Sequence, residues 1–141
     1  MTTIVNTFVR VSQDCPAERG IVPVSKGPGK TLPEVQFDIL SKHPYTYDLD
    51  ELIVETHIRH KLALDALDEA RRASVRSELL AKSHPCMRAS MLPKKYGWGV
   101  HYDENGRIAI YPMESEAYAR LSERADLKQE YAMRNKKAVK A

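Results

Sequence analysis

Asn105-Gly106 constrains this chain more than any other pair of residues. It separates two alternating runs, YGWGVHY (96–102) and RIAIYP (107–112). In a two-residue turn between paired strands both central residues take positive φ, and Asn and Gly do so at least cost. The pair therefore predicts a β-hairpin of fixed register. Glu104 faces Arg107, Asp103 faces Ile108, Tyr102 faces Ala109, His101 faces Ile110 and Val100 faces Tyr111. One face then carries Tyr96, Trp98, Val100, Tyr102, Ala109 and Tyr111; the other carries Gly97, Gly99, His101, Ile108 and Ile110. Apolar groups on both faces predict cover on both sides.

The rest of the chain must supply that cover. Residues 4–11 alternate as a strand, with Val5, Thr7, Val9 and Val11 on one face and Ile4, Asn6 and Phe8 on the other. Residues 12–30 hold three prolines and three glycines and read as an ordered wrap. Thr31 and Glu34 have capping-box spacing, which opens a helix that runs to Lys42. Residues 52–59 are β-branched and alternate, so they read as a strand with Leu52, Val54, Thr56 and Ile58 inward. A helix from the Asp48/Glu51 box is the competing reading. Ala, Leu, Glu and Arg dominate 65–82 and predict a surface helix; Ser115 to about Arg134 reads as a last helix. The sum is an α+β domain over 1–124, a mostly antiparallel sheet of about four strands with about three helices packed on it. Residues 125–141 are read as a basic, partly mobile helical tail.

Composition narrows the function classes. A chain of 141 residues fits one domain. No run approaches the length of a membrane helix, no secretory leader is visible, and two cysteines make no disulfide scaffold, so a cytoplasmic setting is expected. The net charge of +3 is uneven, because the basic residues from Arg120 onward outnumber Glu123, Asp126 and Glu130. Such a tail suits acidic partners, nucleic acid among them.

Four motifs carry chemistry. GPGKT (27–31) resembles the end of a phosphate loop, but Val24 stands where that pattern needs Gly, and Pro33 removes an amide. A simpler anion site remains, with Lys26, Lys30 and the Thr31 helix start. Cys86 lies near Arg88 and Lys94, which would favour its thiolate. Cys15, Cys86, His84 and His101 match no metal-ligand spacing, and His57 and His60 share a face only on a helix. In Gly97-x-Gly99-x-His101 the glycines leave a groove that admits a packed helix or a ligand.

The segments NTF (6–8), DCP (14–16), KTLPEVQFDIL (30–40), HPYTYDLDEL (43–52) and PCMRASMLPKKYGWGVHYDENGRIAIYP (85–112) resemble a bacterial domain-of-unknown-function family, number 6157 of that series. The resemblance covers roughly 4–121 and implies a compact protein without an assigned activity. Ser83-His84 and Met91 depart from the family's Gly-Gln and Pro. The matching unusual positions are Cys15, Lys30, Cys86, Arg88, Lys94, Lys95, Tyr96, Trp98 and His101.

The leading expectation is a non-catalytic binding or regulatory module. Its basic, aromatic pocket would use Lys26, Lys30, Thr31, Arg88, Lys94, Lys95, Tyr96, Trp98 and His101 for an anionic small molecule or nucleotide. Neither a metal nor a cofactor is expected. An enzyme using Cys86 or His101 and a partner- or nucleic-acid-binding protein are the alternatives.

Overall fold

The computed structural model describes residues 4–61 and 68–136. Among those residues it is an α+β fold with a four-stranded sheet of order β3-β2-β1-β4, mixed and not mostly antiparallel because β4 runs parallel to β1, and with five helices in place of about three. Strand β1 (Thr7–Arg10) pairs antiparallel with β2 (Trp98–Tyr102) and parallel with β4 (Lys128–Tyr131). Strand β2 pairs antiparallel with β3 (Ile108–Pro112). Helices α1 (Leu32–Lys42), α2 (Leu49–His60), α3 (Glu69–Leu80) and α4 (Met91–Lys95) precede β2, and α5 (Glu116–Glu123) follows β3. No helix among the described residues is long and apolar enough to cross a membrane.

The register of β2 and β3 is one residue away from expectation. Tyr102 faces Ile108, His101 faces Ala109 and Val100 faces Ile110. The connection is 103–107, not a two-residue loop, and Gly106 takes φ 78° while Asn105 stays at negative φ. Asp103 is the reason. Its Oδ1 accepts the amides of Asn105 and Arg107, both at 2.9 Å, and its carbonyl accepts the Gly106 amide. A carboxylate that serves two turn amides favours this wider turn. A slip of one residue flips every side chain of a strand. Ile108 and Ile110 therefore join Val100 and Tyr102, while Ala109 and Tyr111 join His101.

Residues 52–59 are helical, which overturns the strand. The Asp48/Glu51 box is complete, with the Glu51 amide 2.8 Å from Asp48 and the Asp48 amide 3.2 Å from Glu51. Two helix-end donors are thereby satisfied, and this outweighs the β-branched composition. Leu52, Val54, Thr56 and Ile58 are all buried, but as parts of a helix. The Thr31/Glu34 box does not form. Thr31 makes no side-chain cap; its amide donates to Ser25 Oγ, and the Glu34 carboxylate accepts from the Ser25 amide and hydroxyl. Helix α3 starts after an Asp68 cap, so the expected start at 65 lies outside the described residues; it buries nothing and is held by Arg72 on Glu55. The expected helix over 115–134 stops at Glu123, and 128–131 is a strand beside β1 instead. The sheet thus has four strands, with β4 in place of 52–59.

The sheet is covered on both sides. On one side Val9, Val100, Tyr102 and Ile108 pack with Val35, Ile39 and Leu52 of α1 and α2. On the other, Phe8 packs with Leu121 and Leu127, and Tyr111 and Tyr118 close over it.

Candidate functional site

The aromatic side of the sheet holds the groups most conspicuous in the sequence, and they are engaged with one another. The groove left by Gly99 admits a helix: a Cβ there would lie 2.6 Å from Tyr118 of α5 and 2.7 Å from Phe8. Gly97, at φ +78°, lies against the Arg19 carbonyl, 2.5 Å from where a Cβ would stand. The Tyr118 hydroxyl accepts the Val11 amide at 2.9 Å. His101 is buried, with Nδ1 2.7 Å from the Tyr45 hydroxyl, which is 2.6 Å from the Tyr111 hydroxyl. Burial, helped by the charge of Arg124, holds the imidazole below the usual histidine range. The Tyr45 hydroxyl thus bridges the His101 ring and the Tyr111 hydroxyl, which ties the three side chains together. Burial and Tyr111 push the Tyr45 phenol upward.

The expected basic, aromatic set is dispersed. Trp98 donates its indole N–H to the Ile21 carbonyl at 2.8 Å and packs edge-on against Phe37. Tyr96 offers its carbonyl to the Ile21 amide. Both fasten the 12–30 wrap. Arg88 donates to the Tyr131 carbonyl at 2.9 Å and lies 3.3 Å from Glu130, so it holds β4. Lys30 is paired with Asp38 at 2.7 Å, and the Thr31 amide is taken by Ser25. Lys94 gives its carbonyl to Asn135, while Lys95 and Lys26 are exposed. His101 and Cys86 belong to opposite faces, since Cys86 and Tyr102 line one cavity of about 270 Å³ with Thr7 and Val9. Cys15 and Cys86 are free thiols. The tail's charge is partly met, by Arg124 on Asp126 and Lys128 on Glu130. Among the described residues no group of three His, Cys, Asp or Glu could hold a metal.

Open space lies elsewhere. A cavity of about 430 Å³ separates α1 and α2 from the 84–91 segment. That size is within the range of small-molecule sites. Helix α2 forms one wall with Leu49, Leu52, Ile53, Thr56, His57 and His60. These positions recur at helical spacing and make a single stripe. Lys61 follows at the helix end. Leu32, Pro33 and Gln36 of α1, then Cys86, Met87, Ala89 and Met91, form the facing walls. No carboxylate lines it among the described residues. Gln36 and Ser90 are bonded to each other at 2.7 Å, and Thr56 to the Leu52 carbonyl. His84 donates from Nε2 to the Leu79 carbonyl at 2.7 Å, which fixes the 84–91 segment to the end of α3.

Of the expected residues only Cys86 lines this cavity. The stripe on α2 was hidden by reading 52–59 as a strand. On a helix, the spacing of Leu49, Leu52, Ile53, Thr56, His57 and His60 gives it away.

Residues 1–138 match the model of a family described as of unknown function, DUF6157. The chain belongs to that family. The PCMRASMLPKKYGWGVHYDENGRIAIYP block that suggested DUF6157 runs from the cavity wall at Cys86 through β3. No curated protein and no solved structure matches the chain.

Proposed function

We propose that this DUF6157 protein is a binding module for a small, largely apolar molecule, with its site between α1, α2 and the 84–91 segment. The observation that carries this reading is a cavity of about 430 Å³ whose wall is mostly aliphatic and thioether surface left uncovered by the core. An aliphatic surface of this size gains free energy when a ligand removes it from water. The aromatic side offers no such room, because Tyr118 and Phe8 fill the space over Gly99.

The dye 8-anilinonaphthalene-1-sulfonate, on the full chain, tests the reading. It should brighten with the folded protein. Ile53→Trp fills the cavity from a half-buried position, and it should abolish the signal while leaving the urea midpoint unchanged. Equal brightening in the folded variant would place the dye elsewhere and contradict the proposal. No brightening of the wild type would contradict it as well.

A further inference from the structure

We infer that the ligand of this cavity is an amphipathic carboxylic acid, whose apolar body lies along Leu49, Leu52 and Ile53 and whose carboxylate is held by His57, His60 and Lys61. The inference rests on the cavity being the binding site, as proposed above.

The stripe of α2 that faces the cavity changes character along its length. Its first turns present Leu49, Leu52 and Ile53; its last turn presents His57 and His60, and Lys61 follows. The helix rises about 16 Å over these turns, so the two ends are well separated. None of the carboxylates of α2 lines the cavity: Glu51 caps the Asp48 amide, Glu55 is taken by Arg59 and Arg72, and Asp50 lies off the stripe. The cavity wall therefore holds one full cation and imidazole donors at one end, with no negative side chain among the described residues.

The other polar groups of the wall are spoken for. Gln36 and Ser90 bond each other, Thr56 bonds its own helix, and His84 bonds Leu79. The side chains of His57, His60 and Lys61 make no hydrogen bond among the described residues, and they are the donors left for a ligand. The C-terminal end of α2 carries the negative half of the helix dipole. An acid is accordingly held by these side chains and not by backbone amides. An anionic head with charged and imidazole donors makes stronger hydrogen bonds than a neutral one.

Calorimetric titration of the full chain with decanoate, octanoate and decan-1-ol decides the matter. Decanoate should bind about tenfold more tightly than decan-1-ol. Each CH₂ gained between octanoate and decanoate should tighten binding about fourfold. Lys61→Gln should remove most of the preference for the acid and leave decan-1-ol unchanged, and His57→Gln with His60→Gln should remove the remainder. Lys61 is exposed at a helix end, so its variant keeps the test decisive should the double variant misfold. Equal affinity for acid and alcohol would overturn the carboxylate inference and leave the cavity reading standing. So would a preference for the acid that survives Lys61→Gln together with the double variant. Failure of every chain to bind would overturn both.

Discussion

The two sides of the sheet differ in how they use their side chains. The aromatic side is closed: Phe8, Tyr118 and Gly99 interlock, and Tyr45 ties His101 to Tyr111. The α2 side is open: aliphatic groups line a cavity, and His57, His60 and Lys61 stand at its end. The difference teaches that unusual residues can be engaged in packing. Here Gly99, Trp98 and Tyr111 are held by contacts and hydrogen bonds within the fold, and the open space lies along an ordinary helical stripe.

The largest expected contrast is between Phe8→Ala and Ile53→Trp. Phe8 is fully buried, so its truncation should cost about 4 kcal/mol in urea denaturation. Ile53→Trp extends into empty space and should change stability by less than about 1 kcal/mol. Comparable losses in both would show the α2 side to be closed core. Next, Gly99→Ala places a methyl against two rings and should cost about 1–3 kcal/mol. A neutral result would mean that α5 moves aside easily, and the contrast would weaken.

A smaller effect sharpens the comparison through pH. Tyr45→Phe leaves His101 Nδ1 without its partner and should cost about 1–2 kcal/mol. The folded pKa of His101 lies below the ordinary 6.5, so the unfolded chain takes up the proton first. Its neutral form contributes fully above about pH 6.5, and that contribution is lost as pH falls through the folded value. His101→Gln should therefore flatten the fall in stability below about pH 6.5. An unchanged slope would assign that fall to other groups. The smallest effect is expected from Arg88→Ala. Its ion pair is exposed, so stability should shift by at most about 1 kcal/mol and ligand affinity should not change.

Much of the fold was legible in the sequence, and the misses have identifiable causes. The first strand, the 12–30 wrap and the antiparallel pairing of 98–102 with 108–112 follow from alternation and Pro/Gly punctuation, whereas helix α1 forms without the Thr31/Glu34 box expected to open it. The register slipped because Asp103, and not Asn105-Gly106 alone, sets the turn. Alternation in 52–59 outvoted the Asp48/Glu51 box, and the cavity stripe vanished with the helix. Nothing local marks Lys128–Tyr131 as a strand; pairing with β1 makes it one. Tyr45 joins His101 from a distant loop, at φ 56°, a placement that only tertiary structure reveals. The candidate site was thus mostly illegible. Of the residues expected to form it, Cys86 alone meets the cavity.

The central claim is that ligand binds beside α2 and not among the aromatic residues of β2. A ¹H–¹⁵N NMR titration of the full chain with decanoate tests this most directly, because the chain has one tryptophan. The account predicts shifts at the amides of Leu52, Ile53, His57, His60 and Met87, with the Trp98 indole signal fixed by its bond to Ile21. Shifts at the Trp98 indole and at Lys94 and Lys95, with α2 silent, would contradict it.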